Sequence, residues 1–225
     1  MKIFIIGSGK LANAINTSGL SFPSCEIIKW ENKLPAYKEK SIIIHAGSGR
    51  QLQEGLEFCK RTDSFFIELS TGLITEELDP NFTLIICPNT SLLLLKTLSI
   101  FRFYGSHFKE YKISIIESHQ SSKRSIPGTA FSFAKSLSVP FDQIKSIRQK
   151  DIQIHKIGIP NEFLDIHAYH KIVIQDGLDE VIIETKVLGH ESYAKGVERI
   201  INAVLSNNLE KKKYSILDLI DAKLL

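Results

Sequence analysis

The chain opens on a short apolar block, Lys2–Ile6, with no polar position inside it. Blocks of that length, rich in β-branched residues, read as strands buried on both faces. The same pattern recurs at Cys25–Trp30, Ser41–Ala46, Ser64–Leu69 and Phe82–Cys87. Between blocks the apolar spacing becomes helical: Leu11, Ala14 and Ile15 share a face, Gly19 offers a stop, and Arg50–Arg61 has the same period. Strands alternating with helices predict an α/β architecture: an N-terminal Rossmann-type, doubly wound parallel sheet over residues 1–91, completed by residues 201–225.

From Ser91 the pattern changes. Ser91–Gly105 is apolar almost throughout and predicts a buried helix, Tyr111–His119 a strand, and Gly128–Ser138 a helix after Pro127. Asp151–Gly158, Phe163–Gln175 and Glu180–Leu188 read as three more strands. In the middle one, Leu164, Ile166, Ala168, His170, Ile172 and Ile174 share a face, which puts His170 in the core and leaves His155 and His167 on strand surfaces. Asp176-Gly177 predicts a hairpin turn, and His190–Ser206 a helix. This order predicts a smaller α+β domain over residues 92–200 with a mixed or antiparallel sheet. The lysines at 211–213 read as a solvated turn.

Composition narrows the function classes. Of 225 residues, 43% are hydrophobic and 24% charged, and the net charge of +3 is too weak to argue for nucleic acid. No apolar run approaches the roughly 20 residues a bilayer span needs, and the N-terminal block is too short for a signal peptide. Cys25, Cys59 and Cys87 lack metal-ligand spacing, so reduced thiols and no metal site are expected. A cytoplasmic protein without a membrane partner follows.

The candidate chemistry begins at the first strand's end. Gly7-Ser8-Gly9-Lys10-Leu11-Ala12 fits G-x-G-x-x-A: a glycine for the tight turn, a second where the backbone meets a pyrophosphate, and a small residue where helix meets sheet. Glu31, at the end of the second strand, stands where a ribose-binding acid is expected. It leans the cofactor toward NADH, while Lys29 and Lys33 beside it suit the 2′-phosphate of NADPH. Ser70-Thr71-Gly72 and Pro88-Asn89-Thr90 follow the fourth and fifth strands, at the carboxyl ends where such sheets bind ligands. His45 ends the third strand beside the same crevice. Farther on, Glu117 and His119 lie on one side of a strand end, Lys123 follows, and Gly128-Thr129 open a helix whose N–H groups and dipole suit an anion. That describes a carboxylate pocket with a proton donor.

These residues resemble a family. The run Glu117-Ser118-His119-Gln120-Ser121-Ser122-Lys123 through Pro127-Gly128-Thr129-Ala130 is similar to the E-x-H-H-x-x-K-x-D-A-P-S-G-T-A of the dihydrodipicolinate reductases of the lysine pathway. His170, the acidic turn 176–180, and His190 through Val197 keep the spacing of a second family pattern. The resemblance implies hydride transfer from NADH or NADPH to an unsaturated, nitrogen-containing ring dicarboxylate. It implies proton donation by His119 and Lys123, and substrate binding by Gln120, Gly128 and Thr129. Cofactor contacts would come from the glycine turn, Ser70–Gly72 and Asn89 with its neighbours, and the assembly would be a homo-oligomer, a tetramer by resemblance. Gln120 replaces the family's second histidine, Thr185 and His190 replace two more of its residues, and the loop between Lys123 and Gly128 is one residue shorter. A related imine or enamine reductase acting on another small acid, or a catalytically silent nucleotide-binding protein, are the competing expectations.

Overall fold

The structure, a computed structural model, describes residues 1–17, 20, 22, 25–30, 37–123 and 127–225. In chain order its elements are β1 (Lys2–Ile6), α1 (Lys10–Thr17), β2 (Glu26–Lys29), β3 (Ile42–His45), α2 (Leu52–Thr62), β4 (Phe65–Glu68), β5 (Leu84–Ile86), α3 (Leu92–Tyr104), β6 (Lys112–His119), α4 (Gly128–Ser136), β7 (Lys145–Ile147), α5 (Lys150–His155), β8 (His167–Asp176), β9 (Asp179–Leu188), α6 (Glu191–Ser206), β10 (Lys213–Ser215) and α7 (Ile216–Asp221). They form two compact units, Met1–Leu92 with Tyr193–Leu225, and Leu93–Ser192.

The first unit is built on a six-stranded sheet in the order β10-β5-β4-β3-β1-β2, with every pairing parallel. This bears out the Rossmann-type expectation. The uninterrupted apolar blocks become strands covered on both faces, and β3 and β4 are buried from end to end. On one face Phe4, Ile6, Ile43 and Phe66 pack against Leu52, Leu56 and Phe58 of α2, each fully buried side chain contributing about 1.5–3 kcal/mol. The helix lies close to the sheet because of Gly55: a Cβ there would come within 2.7 Å of Ile6 Cδ1. The C-terminal tail supplies the edge strand β10, which begins at Lys213, so the last of the three lysines pairs in the sheet rather than in a turn. A capping box then starts α7: Asp218 N–H donates to Ser215 Oγ, and Ser215 N–H donates to Asp218 Oδ2.

The second unit carries a mixed sheet in the order β7-β6-β8-β9, in which only β6 and β7 run parallel. β8 and β9 join through a two-residue loop in which Gly177 takes a φ of 58°, open to glycine at no steric cost. Three expectations need correction. Asp151–Gly158 is not a strand but encloses the helix α5. Its period-2 alternation misleads because the buried residue is Gln153, flanked by half-buried Ile152 and Ile154. The helix Ser91–Gly105 is buried on one side only: Leu94, Leu98 and Phe101 are in the core, while Leu93, Ile100, Phe103 and Tyr104 are exposed. His167 is buried, not on the surface, and His155 is exposed on α5. His170 is buried as expected.

Candidate functional site

In the first unit, Gly7 has a φ of 137°, and a Cβ there would lie 2.2 Å from the Ala46 carbonyl oxygen. Only glycine lets β1 turn this tightly against the end of β3. A notional Cβ on Gly9 meets nothing within 4 Å, so the backbone is open to a phosphate on that side. A cleft of about 850 Å³ lies over this turn, lined by Gly7, Ser8, Gly9, Lys29, Trp30, Ala46, Gly47, Ser48, Arg50, Gln51 and Glu54. Lys10 is exposed, Leu11 half-buried, and Ala12 fully buried where α1 meets the turn. These residues fit a dinucleotide: a glycine turn at a helix N-terminus for the pyrophosphate, with the cations Lys29 and Arg50 along the walls.

The expected ribose acid Glu31, and Lys33 with it, lie outside the described residues. Ser70, Thr71 and Gly72 follow β4, as expected, but do not line the cleft. Ser70 Oγ instead donates to Gly47 O at 2.7 Å, tying two loops together, and Gly72 N–H donates to Glu76. Pro88, Asn89 and Thr90 are likewise not in its wall. Asn89 Oδ1 accepts from Ser91 N–H, and the Thr90 hydroxyl donates to Tyr193 O at the start of α6. Gly47, Ser48, Arg50, Gln51 and Glu54 were not anticipated. The signal for them was Gly47-Ser48-Gly49, a second glycine turn at a strand's carboxyl end.

In the second unit, the C-terminal end of β6 gathers the charged chemistry. Glu117 is fully buried and takes a two-pronged bond from Arg148, whose Nη2 and Nη1 donate at 2.6 and 3.1 Å. His119 Nδ1 lies 2.8 Å from the same carboxylate. Burial works against ionisation of Glu117, but the bonds from His119, Arg148 and Ser146, with the Arg148 charge, outweigh it and hold the pKa at about 2. With Nδ1 on a carboxylate, the His119 ring is held by one nitrogen and presents the other, Nε2. Arg148 also donates through Nε to the Lys123 carbonyl, anchoring the backbone of the loop that carries this lysine.

Below this group lies a polar layer. Ser118 Oγ is 2.9 Å from His167 Nε2, and Gln153 Nε2 donates to Ser118 Oγ and the His119 carbonyl. The His119 ring stacks over His167 and meets His170 edge-on, with centroids 6.4 and 5.6 Å apart. Burial, helped by the charge on His119, drives the His170 pKa down to about 3, so it packs as a neutral ring. Gln120 and Lys123 are half-buried beyond the strand end. Gly128 begins α4 in open space, with nothing within 4 Å of a notional Cβ, and Thr129 is half-buried beside it. Arg148 and Gln153 are the residues of this cluster that sequence reading missed. Arg148 follows a three-residue strand with no periodic signal, and Gln153 sat in the misread segment. Among the described residues, no group of three or more His, Cys, Asp or Glu side chains could hold a metal, and no helix is long and apolar enough to cross a membrane.

The family model and the curated relatives name one family. A family model described as the C-terminus of dihydrodipicolinate reductase matches residues 95–221. A probable 4-hydroxy-tetrahydrodipicolinate reductase 1 of Oryza sativa subsp. japonica is 30% identical over 123 residues, covering 50% of this chain and 36% of that protein. The 4-hydroxy-tetrahydrodipicolinate reductase 2 of Arabidopsis thaliana is 32% identical over 126 residues, covering 50% and 35%. The matched region is thus about a third of the length of these curated relatives. Among solved structures, a dipicolinate-bound dihydrodipicolinate reductase from Paenisporosarcina sp. TG-14 is similar with a TM-score of 0.68 at 16% identity, over 98% of this chain and 99% of that one. A C. glutamicum DAP dehydrogenase in complex with DAP gives 0.52 at 10% identity, over 100% and 95%. At these identities the structures speak for the shared fold.

Proposed function

The chain belongs to the dihydrodipicolinate reductase family, and on that premise we propose that it reduces dihydrodipicolinate, an unsaturated ring dicarboxylate of lysine biosynthesis, with NADH or NADPH. The observation that carries this reading is the Glu117–Arg148–His119 group at the end of β6, four residues before Lys123. A nicotinamide cofactor supplies the hydride. The first unit holds it, with the Gly7–Ala12 turn on the pyrophosphate and Lys29 and Arg50 as cations lining the cleft.

The second unit binds the substrate. Hydride addition places negative charge on the conjugated imine, which a positioned acid must neutralise. His119 is suited to this: Glu117 holds Nδ1 and stabilises the protonated ring, while Nε2 carries the transferable proton. Lys123 supplies a second proton donor and a cation for a carboxylate, and the Gly128-Thr129 helix start binds a carboxylate through backbone N–H groups. Gln120 donates a hydrogen bond where a histidine would carry charge.

The test is an assay of NADH and NADPH oxidation with dihydrodipicolinate generated in situ by its synthase. Turnover with either nucleotide is expected. Lys123→Ala should abolish it while leaving nucleotide affinity unchanged. Absence of turnover by the unaltered chain with both nucleotides sinks the proposal.

A further inference from the structure

In the central strands of the first unit the buried layers are isoleucine and phenylalanine until the last one. There His45 of β3 stands in register with Glu68 of β4. Both are fully buried, with Nδ1 and Oε1 2.7 Å apart. Replacing such a pair by apolar residues of similar volume is often neutral or stabilising for a fold. Core stability therefore does not explain why this layer departs from its neighbours.

The pair's other bonds lead to the cleft. Glu68 Oε1 also accepts the Ser70 N–H at 2.9 Å, and Oε2 accepts from Thr75 Oγ1 at 3.3 Å. Ser70 in turn donates through Oγ to Gly47 O at 2.7 Å and accepts from Gly47 N–H at 3.1 Å. Gly47 lines the cleft beside the glycine turn: a Cβ on Gly47 would sit 3.6 Å from Gly7 Cα and 3.4 Å from His45 Nε2. That Nε2 is buried directly beneath the floor without a hydrogen-bond partner, a local cost of the kind a sequence retains where function overrides stability.

We propose that His45 and Glu68 are positioning residues for the dinucleotide: they hold Ser70, and through it the Gly47 backbone, in the arrangement that shapes the cleft floor beside Gly7. The proposal rests on reading the cleft as the cofactor site. His45 acts by fixing the Glu68 carboxyl group, and Glu68 acts by fixing the loop after β4. Neither needs to touch the ligand.

Direct titration of the full chain with NADH and NADPH, followed by nucleotide fluorescence, tests this without using the reaction. The double variant His45→Leu/Glu68→Leu removes the acceptor of the Ser70 N–H and the Thr75 hydroxyl and is expected to bind roughly tenfold more weakly, the scale on which orienting partners act at other ligand sites. Glu68→Gln, which keeps the acceptor for Ser70 N–H, should restore affinity to within about threefold. Ser70→Ala cuts the link to Gly47 without disturbing the buried pair, so it decides the matter if the double variant fails to fold. It too should bind roughly tenfold more weakly. Unchanged affinity in the folded double variant or in Ser70→Ala overturns the proposal, as does a Glu68→Gln variant as weak as the double one. If the unaltered chain binds neither nucleotide, the cleft assignment falls and the proposal with it. If it binds and the variants bind equally well, the proposal alone falls.

Discussion

Arg148 joins the Glu117 carboxylate to the Lys123 backbone, and its removal would leave a fully buried carboxylate without its main counter-charge. Arg148→Ala is expected to cost about 3–5 kcal/mol in urea denaturation. Arg148→Lys keeps the charge but loses the fork, and should recover only part of that. Acid should act on the same unit in two ranges. His170 has its pKa lowered to about 3 from an ordinary 6.5, so the unfolded chain takes up the proton first. Its stabilising contribution is full above 6.5 and is lost as pH falls toward 3. Glu117, lowered from 4.5 to about 2, contributes fully above 4.5 and loses that contribution as pH falls to 2. Thermal melts from pH 7 to pH 3 should show the first loss, and His170→Leu should make the curve shallower between pH 6.5 and 3 while leaving the part of the fall below pH 4.5 that belongs to Glu117.

At the scale of elements, α6 shows how closely a helix can be set. A Cβ on Gly196 would lie 1.7 Å from the Thr90 carbonyl oxygen, and the Thr90 hydroxyl donates to Tyr193 O in the same turn. Gly196→Ala must push α6 away from the loop after β5, at a cost of about 1–3 kcal/mol despite alanine's better helix propensity. A calorimetric melt showing a lower transition temperature is the expected result. α5 carries the opposite lesson. The segment Asp151–Gly158 alternates like a strand, yet Gln153 donates to Ser118, His119 and Ile147. A buried amide held against two other segments outweighs a short periodic signal.

For the whole molecule, β9 is an edge strand of the mixed sheet, with Val181 and Ile182 half exposed, and Leu178 of the loop before it fully so. An exposed apolar edge calls for cover, and we expect it to join subunits of a homo-oligomer. Light scattering should report more than one chain per particle, and Val181→Lys/Ile182→Lys should shift the population toward monomer. Much of this architecture is legible in the sequence. The apolar blocks became β1 to β5, and Gly7 took the strained turn expected of it, because burial on both faces and turn chemistry are properties of a few neighbouring residues. The spacing of His119 and Lys123 is likewise a local property of the chain. The supports of the site were not. Arg148 meets Glu117 across 31 residues, and His45 meets Glu68 across 23. Those meetings depend on strand order, on register and on which side of a strand each chain segment enters. No local pattern encodes them, so only the tertiary structure decided that Glu117 is held between Arg148 and His119, and that a buried polar pair lies beneath the glycine turn.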